Sequence, residues 1–384
     1  MASSQRDPEH AKVLVCGGAV VDSIVKPTDA AQRGASRTSM PGKARVSEGG
    51  VARNIAEAIA RLGGRPRLLS AVGKDTAGER LRASARSVGI DVADMFEVPA
   101  ARTATFTALL DGTGELVGAV ADMGIFDEIS PAFVDAAAGR GAFEGAALVV
   151  CDANLPAQTL ERIRVRSAKA SVPAWFEPVS VAKAPHGLGG GEPWHLVSPN
   201  WDELRALLRM PPTHEPLAGA LAGNLPDEVI HALNAAESAA IAKNVLLTLG
   251  SQGVVLAACG DAAGAAAPSV AAHARYDIEA AALLGGAAAA PAASSLTTLS
   301  LSVERLPASP RGGLRLWYRL LRPLDHVVDS TGAGDALLAG TARAFSAGWP
   351  LEQAVIAGLL CAHLTLFAEG AVAHFLSEAL LQRL

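Results

Sequence analysis

The chain has 384 residues, of which 50% are hydrophobic and 18% are charged, and its formal net charge at pH 7 is −5. This is enough apolar material for one large α/β core, and the slightly negative charge offers no basic surface for nucleic acid or for a membrane. A small-molecule substrate is therefore the expected partner.

Neither the first residues nor the apolar segments predict export or membrane insertion. Residues 1–10 lack an apolar signal core, and Gly, Pro or charged residues interrupt each apolar run before it reaches membrane-spanning length. The four cysteines show no zinc-ligand spacing, so we expect them to be reduced residues of the core. The sequence therefore predicts a cytoplasmic protein.

Short apolar runs alternate with helical patterns along most of the chain. This alternation is typical of a three-layer α/β/α domain with a mostly parallel central sheet, here spanning residues 1–384 as one domain. The predicted strands are 12–16, 67–72, 148–151, 173–176, 194–198, 245–249 and 254–258. The predicted helices begin near Gly50, Ala77, Pro131, Pro156, Asp202, Asp227, Gly334 and Leu351.

Polar residues that directly follow strands are the first candidates for a site, because ligands bind beyond the carboxyl ends of parallel strands. Six residues occupy such positions, which are Asp22, Asp152, Asn154, Glu177, Asn200 and Gly250. Asp22, Asn154 and Asn200 also have an ordinary structural interpretation, since Asp and Asn are common in turns and as helix N-caps. We expect the six to share one cleft.

Two segments predict a small β lid, residues 23–46 and residues 103–120. The second segment has the pattern of a hairpin around Asp111 and Gly112. A lid that closes over a substrate excludes water from the reaction. The same lid surface can mediate a homodimer.

The segment from Pro41 to Gly63 predicts a loop, a glycine pair and an amphipathic helix. Asn54 lies in the first turn of that helix, where its amide can reach a polyhydroxylated ligand passing over Gly49 and Gly50. Lys43, in the loop, is either a further ligand contact or a solvated residue. This block is a candidate substrate site.

Residues 259–314 depart from the alternating pattern. An Ala- and Gly-rich run is followed by a run rich in Ser, Thr and Leu, and alanine offers little side-chain area to bury. We expect a surface insertion that is disordered or loosely packed, with a regulatory or partner-binding role as the alternative.

The run from Asp329 to Asp335 places an acid behind a glycine-rich turn that opens a helix. Gly332 and Gly334 lack a Cβ, so the N–H groups around Ala333 can converge, and the helix N-terminus adds partial positive charge. Asp335 can then accept a proton from an attacking hydroxyl. The pattern predicts phosphoryl transfer, and a packing corner is the alternative.

Together these blocks resemble the two signatures of the PfkB carbohydrate kinases, the ribokinase family, in the same order and at a similar separation. The runs Ser198–Glu203 and Leu246–Gly253 also fit the family. The resemblance implies a ribokinase-like fold, ATP as the phosphoryl donor and Mg2+ as its counter-ion. Further roles follow from it for individual residues, which are catalytic Asp335 with the anion hole Gly332, Ala333 and Gly334, and sugar-binding Asp22.

For the nucleotide and the metals, the resemblance implies that Asn200 and Glu203 organise phosphate and Mg2+, Glu203 acting through water. Thr248, Gly250 and Gly253 would approach the nucleotide, and a monovalent cation such as K+ would lie near Asp329 and Thr331.

The finer pattern is most similar to the pseudouridine-kinase branch of the family. The similarity lies in Gly50–Glu57, Cys151–Pro156 and Trp175–Ala184. It implies phosphorylation of the ribose 5′-hydroxyl of pseudouridine. The alternatives are a ribokinase or another nucleoside kinase, and a catalytically silent protein that binds a sugar or a nucleotide.

Overall fold

The computed structural model describes residues 11–28, 39, 41–113, 115–211, 225–258, 270, 274–279, 298–322 and 327–384. The strands within these ranges are β1 (Lys12–Cys16), β2 (Val20–Pro27), β3 (Gly42–Gly49), β4 (Arg65–Gly73), β5 (Asp91–Val98), β6 (Thr105–Leu110), β7 (Leu116–Asp122), β8 (Ala146–Asp152), β9 (Ala174–Glu177), β10 (Leu196–Val197), β11 (Asn244–Thr248), β12 (Val254–Ala258), β13 (Arg275–Ile278), β14 (Leu299–Arg305) and β15 (Arg315–Leu320). The helices are α1 (Val51–Arg61), α2 (Thr76–Ser87), α3 (Pro131–Gly139), α4 (Ala157–Lys169), α5 (Trp201–Leu207), α6 (Asp227–Ser238), α7 (Ala333–Ser346), α8 (Leu351–Thr365) and α9 (Glu378–Gln382).

A large mixed sheet forms the centre of the molecule. Its described strands run in the order β13-β14-β15-β12-β11-β10-β9-β8-β1-β4-β5. The pairs from β11 to β5 are parallel, whereas β12, β15, β14 and β13 extend the sheet with antiparallel pairs. The predicted α/β class with a mostly parallel sheet is therefore confirmed.

Helices cover both faces of this sheet, which explains why its central strands are almost continuously apolar. In β1, Val13 and Val15 pack with α1, α7 and α8, whereas Leu14 and Cys16 pack on the opposite side with α3, α4, α5 and α6. All four of these side chains are fully buried. The alternation along one strand thus divides the core into two layers.

The described part of the predicted insertion differs from the expectation of a loose excursion. Strand β13 and strand β14 pair with each other, and β14 pairs with β15 to join the main sheet. Leu299, Leu301 and Val303 are buried on one face of β14. Residues 259–269, 271–273 and 280–297 of the predicted insertion lie outside the described residues.

A second, smaller sheet contains strands from both predicted lid segments, in the order β3-β2-β6-β7. Strands β2 and β3 are antiparallel, β2 and β6 are parallel, and β6 and β7 form the expected antiparallel hairpin. The register sets Asp22 beside Ser47 on one side and Phe106 on the other. Ala108 on this face is buried, whereas Val120 on the opposite face is 71% exposed.

Helices α7 and α8 cross at two glycines that leave no room for a side chain. A Cβ on Gly340 would lie 2.7 Å from Sγ of Cys361 and 2.9 Å from Cα of Gly358, and a Cβ on Gly358 would overlap Oγ1 of Thr341 and O of Leu337. The backbones therefore touch. This contact fixes α7, the helix that carries Asp335.

We expect Gly358→Ala to lower the free energy of unfolding by about 1–3 kcal/mol, because the new methyl group forces the two helices apart. Gly139→Ala is the matched control, because no atom lies within 4 Å of a Cβ at the last residue of α3. That variant should be neutral or stabilised by up to about 1 kcal/mol. Urea unfolding of both variants tests the contact, and equal stabilities would contradict it.

Candidate active site

The predicted glycine-rich turn forms the start of α7. Gly332 is the N-cap residue and has a left-handed backbone with φ of 78°, and a Cβ there would overlap the carbonyl group of Ala371. A Cβ on Gly334 would meet no atom within 4 Å, so the space over the first turn of the helix is open. The turn therefore needs glycine at position 332 and leaves access at position 334.

Asp335 lies in this first turn and meets Asn54 from the first turn of α1. Nδ2 of Asn54 donates to Oδ2 of Asp335 over 2.8 Å, although the two residues are 281 positions apart in the chain. The side chain is partly buried, and the loss of solvation raises its pKa to about 7. The negative charges of Asp152, Asp22 and Glu203 push the pKa in the same direction, and the Asn54 hydrogen bond opposes them.

Asp22 faces the same region from β2. Burial raises its pKa to about 6, and the positive charge of Arg53 acts against that rise. A Cβ on Gly49 would overlap the carboxyl group of Asp22, so that glycine permits the two strands to approach. Gly50 has φ of 96° and would place a Cβ 2.5 Å from O of Gly18. The structure thus brings together five residues of the candidate site, Asp22, Gly49, Gly50, Asn54 and Asp335.

Asp152 lies in the predicted cleft, but the sequence analysis assigned it no role. Its buried carboxylate accepts hydrogen bonds from N of Gly18 (2.9 Å), N of Ala52 (2.8 Å) and N of Asn154 (2.9 Å). Burial raises its pKa, and these three N–H groups oppose that rise. Its place at the end of β8 predicts its position in the cleft, whereas the three backbone partners are visible only in the structure.

Asn154 lies at the same edge, in the turn after β8. Its Oδ1 accepts a hydrogen bond from Nζ of Lys183 over 2.6 Å, and Nζ also lies 3.7 Å from Sδ of Met123. A Cβ on Gly18 would lie 2.8 Å from Nδ2 of Asn154, so the amide packs closely over the turn between β1 and β2. Lys183 adds a positive charge that the sequence prediction missed. In contrast, Lys43 is an exposed residue of β3 and lies outside this group.

Asn200 and Glu203 form the N-terminal cap of α5. Glu203 N donates to Oδ1 of Asn200, and Asn200 N donates to Oε2 of Glu203, each over 2.9 Å. The structural interpretation of the motif is therefore realised. Glu203 is buried, which raises its pKa, and it is close enough to raise the pKa of Asp335 and of Glu177.

Glu177, at the end of β9, is a second carboxyl group of the predicted cleft to which the sequence analysis assigned no role. Burial raises its pKa well above the usual range, and the charges of Glu203 and Asp335 add to that effect. Oε1 accepts a hydrogen bond from N of Val179 over 3.3 Å. The mutual effect of these carboxyl groups is visible only in the structure.

A cavity of about 620 Å³ adjoins the start of α7. Its walls include all three predicted nucleotide residues, Thr248, Gly250 and Gly253, together with Ala333 and Gly334. The prediction missed its largely apolar wall, because that wall comes from distant parts of the chain. It includes Leu299, Leu320, Leu337, Leu359, Ala362 and Leu366.

Asp329 and Thr331 lie in the loop before α7. Oδ1 of Asp329 accepts from N of Thr331 over 2.9 Å, and Oδ2 accepts from N of Gly370 over 3.3 Å. Among the described residues, no group of three or more His, Cys, Asp or Glu side chains is arranged to hold a metal ion. Glu203 offers a hard oxygen ligand, which fits Mg2+ that keeps most of its waters. Within the ranges that the structure describes, no helix is long and apolar enough to cross a membrane.

The fold is that of the ribokinase-type proteins. The structure of Arabidopsis thaliana ribokinase complexed with ribose and ATP superposes with a TM-score of 0.65, covering 97% of each chain at 18% identity. Residues 11–295 and 318–378 match the model of the pfkB family carbohydrate kinases. The chain belongs to this family.

Two pseudouridine kinases are similar in sequence. The one from Escherichia coli strain K12 is 35% identical over 170 residues, which is 44% of this chain and 53% of that protein. The one from Arabidopsis thaliana is 29% identical over 195 residues, which is 50% of each chain. The chain thus spans about half the length of the curated relatives it matches.

The raised pKa of Asp335 has a consequence for stability. In the unfolded chain Asp335 loses its proton near pH 3.8, but in the folded protein it keeps the proton up to about pH 7. The folded state therefore binds more protons between these values, and this group lowers the free energy of unfolding as pH rises through that window.

We expect Asp335→Asn to gain stability relative to the wild type on going from pH 4 to pH 8, by on the order of 1–3 kcal/mol. The measurement is urea unfolding at both pH values, with Asp127→Asn, a change at an exposed residue, as the control. A difference between variant and wild type that is the same at both pH values would contradict the raised pKa.

Proposed function

We propose that the protein is an ATP-dependent kinase that phosphorylates an alcohol group of a small sugar or nucleoside, with Asp335 as the general base. The observation that carries this proposal is the placement of Asp335 in the first turn of α7, behind the Gly332 turn and with a pKa of about 7. A base is most effective when its pKa lies near the working pH.

In the proposed reaction, the oxygen of the acceptor hydroxyl forms a bond to the γ-phosphorus of ATP, and Asp335 accepts the proton of that hydroxyl. The bond from that phosphorus to the bridging oxygen breaks, and ADP leaves. The N–H groups of Gly332 to Gly334 and the N-terminus of α7 would stabilise the charge of the transferred group. Asp22 and Asn54 would orient the acceptor.

The cavity beside α7 supports the placement of ATP. Its apolar wall suits a nucleobase, while the residues at Thr248, Gly250 and Gly334 bring backbone groups to the same space. Mg2+, when bound, would offset the charge of the phosphates, and Glu203 with Asn200 would hold it through water. A monovalent cation at Asp329 and Thr331 is a further part of the proposal.

The small sheet is the proposed lid. Its hairpin exposes Leu116, Val117 and Val120, which are 62%, 57% and 71% exposed. Covering these side chains in a homodimer would remove apolar surface from water. Dimerisation through this sheet is therefore part of the proposal.

Pseudouridine is the proposed acceptor, through its ribose 5′-hydroxyl. Its support is the similarity to two pseudouridine kinases. Ribose or another nucleoside is the alternative within the family, and a catalytically silent binding protein is the alternative outside enzymes. The hydrogen bond from Asn54 to the base Asp335 favours an enzyme.

We expect ADP formation, followed by a coupled assay, to be fastest with pseudouridine among pseudouridine, uridine, adenosine, ribose and fructose 6-phosphate. Chelation of Mg2+ should abolish the turnover. A preference for another acceptor would overturn the proposed substrate, whereas no turnover with any of them would favour a silent binding protein.

We expect Asp335→Asn to lower kcat by about 10³-fold because the amide cannot take the proton. Binding of ATP and of the acceptor, measured by calorimetry, should be retained. Asp127→Asn should keep the wild-type kcat. An Asp335→Asn variant with substantial turnover would show that another group serves as the base.

A further inference from the structure

Arg53 is a buried arginine beside the candidate base for which the proposed mechanism gives no role. It is 5% exposed and lies in α1, directly before Asn54. Its guanidinium forms an ion pair with Glu57, and Nη1 donates to O of Glu48 over 3.1 Å. The same Nη1 donates to Oδ1 of Asn54 over 3.4 Å.

The contact with Asn54 matters because a side-chain amide has two different ends. The NH2 end only donates and the oxygen end only accepts. The guanidinium of Arg53 can donate hydrogen bonds but cannot accept them, so Oδ1 of Asn54 must face it. The NH2 end is then directed to Oδ2 of Asp335, to which it donates over 2.8 Å.

We propose that Arg53 is a positioning residue that fixes the orientation of the Asn54 amide and thereby keeps Asp335 available as a base. The inference rests on the proposed function of Asp335. A hydrogen bond donated to a carboxylate stabilises the charged form, whereas a reversed amide would present its oxygen and require a protonated Asp335.

The surroundings of Asp335 make this orientation important. Its pKa is raised by three carboxylates, which are Asp152 from β8, Asp22 from β2 and Glu203 from α5. The charge of Asp335 in turn raises the pKa of Glu177 from β9. The hydrogen bond from the Asn54 amide acts in the opposite direction, because it favours the carboxylate. Losing its orientation would therefore leave the base protonated to a higher pH.

Glu57 holds Arg53 in place and also pairs with Arg61, and Arg61 provides a matched control. Its Oε1 accepts from Nε of Arg61 over 2.8 Å, and Arg61 donates further to O of His374 over 3.1 Å. Arg61 thus shares Glu57 with Arg53, but its described contacts are with Glu57 and His374 and not with Asn54. Loss of Arg61 disturbs the same ion-pair cluster without releasing the amide.

The test is the pH dependence of kcat in Arg53→Met, Asn54→Ala, the double variant and Arg61→Met. In Arg53→Met the acid limb should move upward by about one pH unit, with activity recovered at higher pH. The double variant should have the same limb as Asn54→Ala, because Arg53 acts through that amide. Arg61→Met should keep the wild-type limb.

A second readout separates this inference from the proposed function. Infrared difference spectra recorded against pH report the protonation of the Asp335 carboxyl without any turnover, and Asp335→Asn identifies its band. If the wild type shows no turnover, the proposed function is contradicted. An upward shift of the infrared titration of Asp335 in Arg53→Met would still support the role of Arg53.

If Arg53→Met does not fold, Arg53→Lys replaces it in both measurements. Lysine keeps the positive charge near Asp22, but its one nitrogen is expected to remain with Glu57, so the shift should persist. An unshifted limb and titration in the folded variant would overturn the inference. So would a shift that remains in the Asn54→Ala background, because Arg53 would then act through its charge alone.

Discussion

One buried carboxylate holds the candidate site together. Asp152 accepts N–H groups from the turn after β1, from the start of α1 and from its own turn after β8. An unpaired N–H group or charge in this environment would be costly, so the three segments are held in one arrangement. The same negative charge raises the pKa of Asp335. Asp152 therefore contributes both to the geometry of the site and, after burial of Asp335 itself, to the strength of the candidate base.

The main features of the fold could be predicted because they are local. Central parallel strands such as β1 and β8 are continuous apolar runs, and most of the helices begin beside a Gly, Pro, Asp, Asn or Ser residue, which commonly marks a helix start. Strand β14 alternates Leu299, Leu301 and Val303 with polar residues, but its position after an Ala- and Gly-rich run concealed that pattern. Strand β15 begins with Arg315, which is buried beside Asn234 of α6. No local pattern reveals such a partner.

The same distinction between local patterns and tertiary contacts applies to the candidate site. Its motifs were visible in the sequence because glycine positions and a following acid have local physical causes. The hydrogen bond between Asn54 and Asp335, and the roles of Asp152 and Glu177, are products of the tertiary structure. The Asn200 and Glu203 motif has a complete local explanation as a helix cap. The sequence therefore indicated where the site lies but not how its charges are balanced.

The glycines that flank β2 and β3 also have a mechanical meaning. Gly17 and Gly18 connect the small sheet to β1 of the main sheet, Gly49 and Gly50 connect it to α1, and Gly50 has a backbone that few other residues adopt. Both connections lie beside Asp22. Any rotation of the small sheet about these pivots would therefore change the distance between Asp22 and Asp335. Asp22 thus lies both at the candidate site and beside the pivots. If it binds the acceptor, as proposed, the bound acceptor would also set the angle between the two sheets.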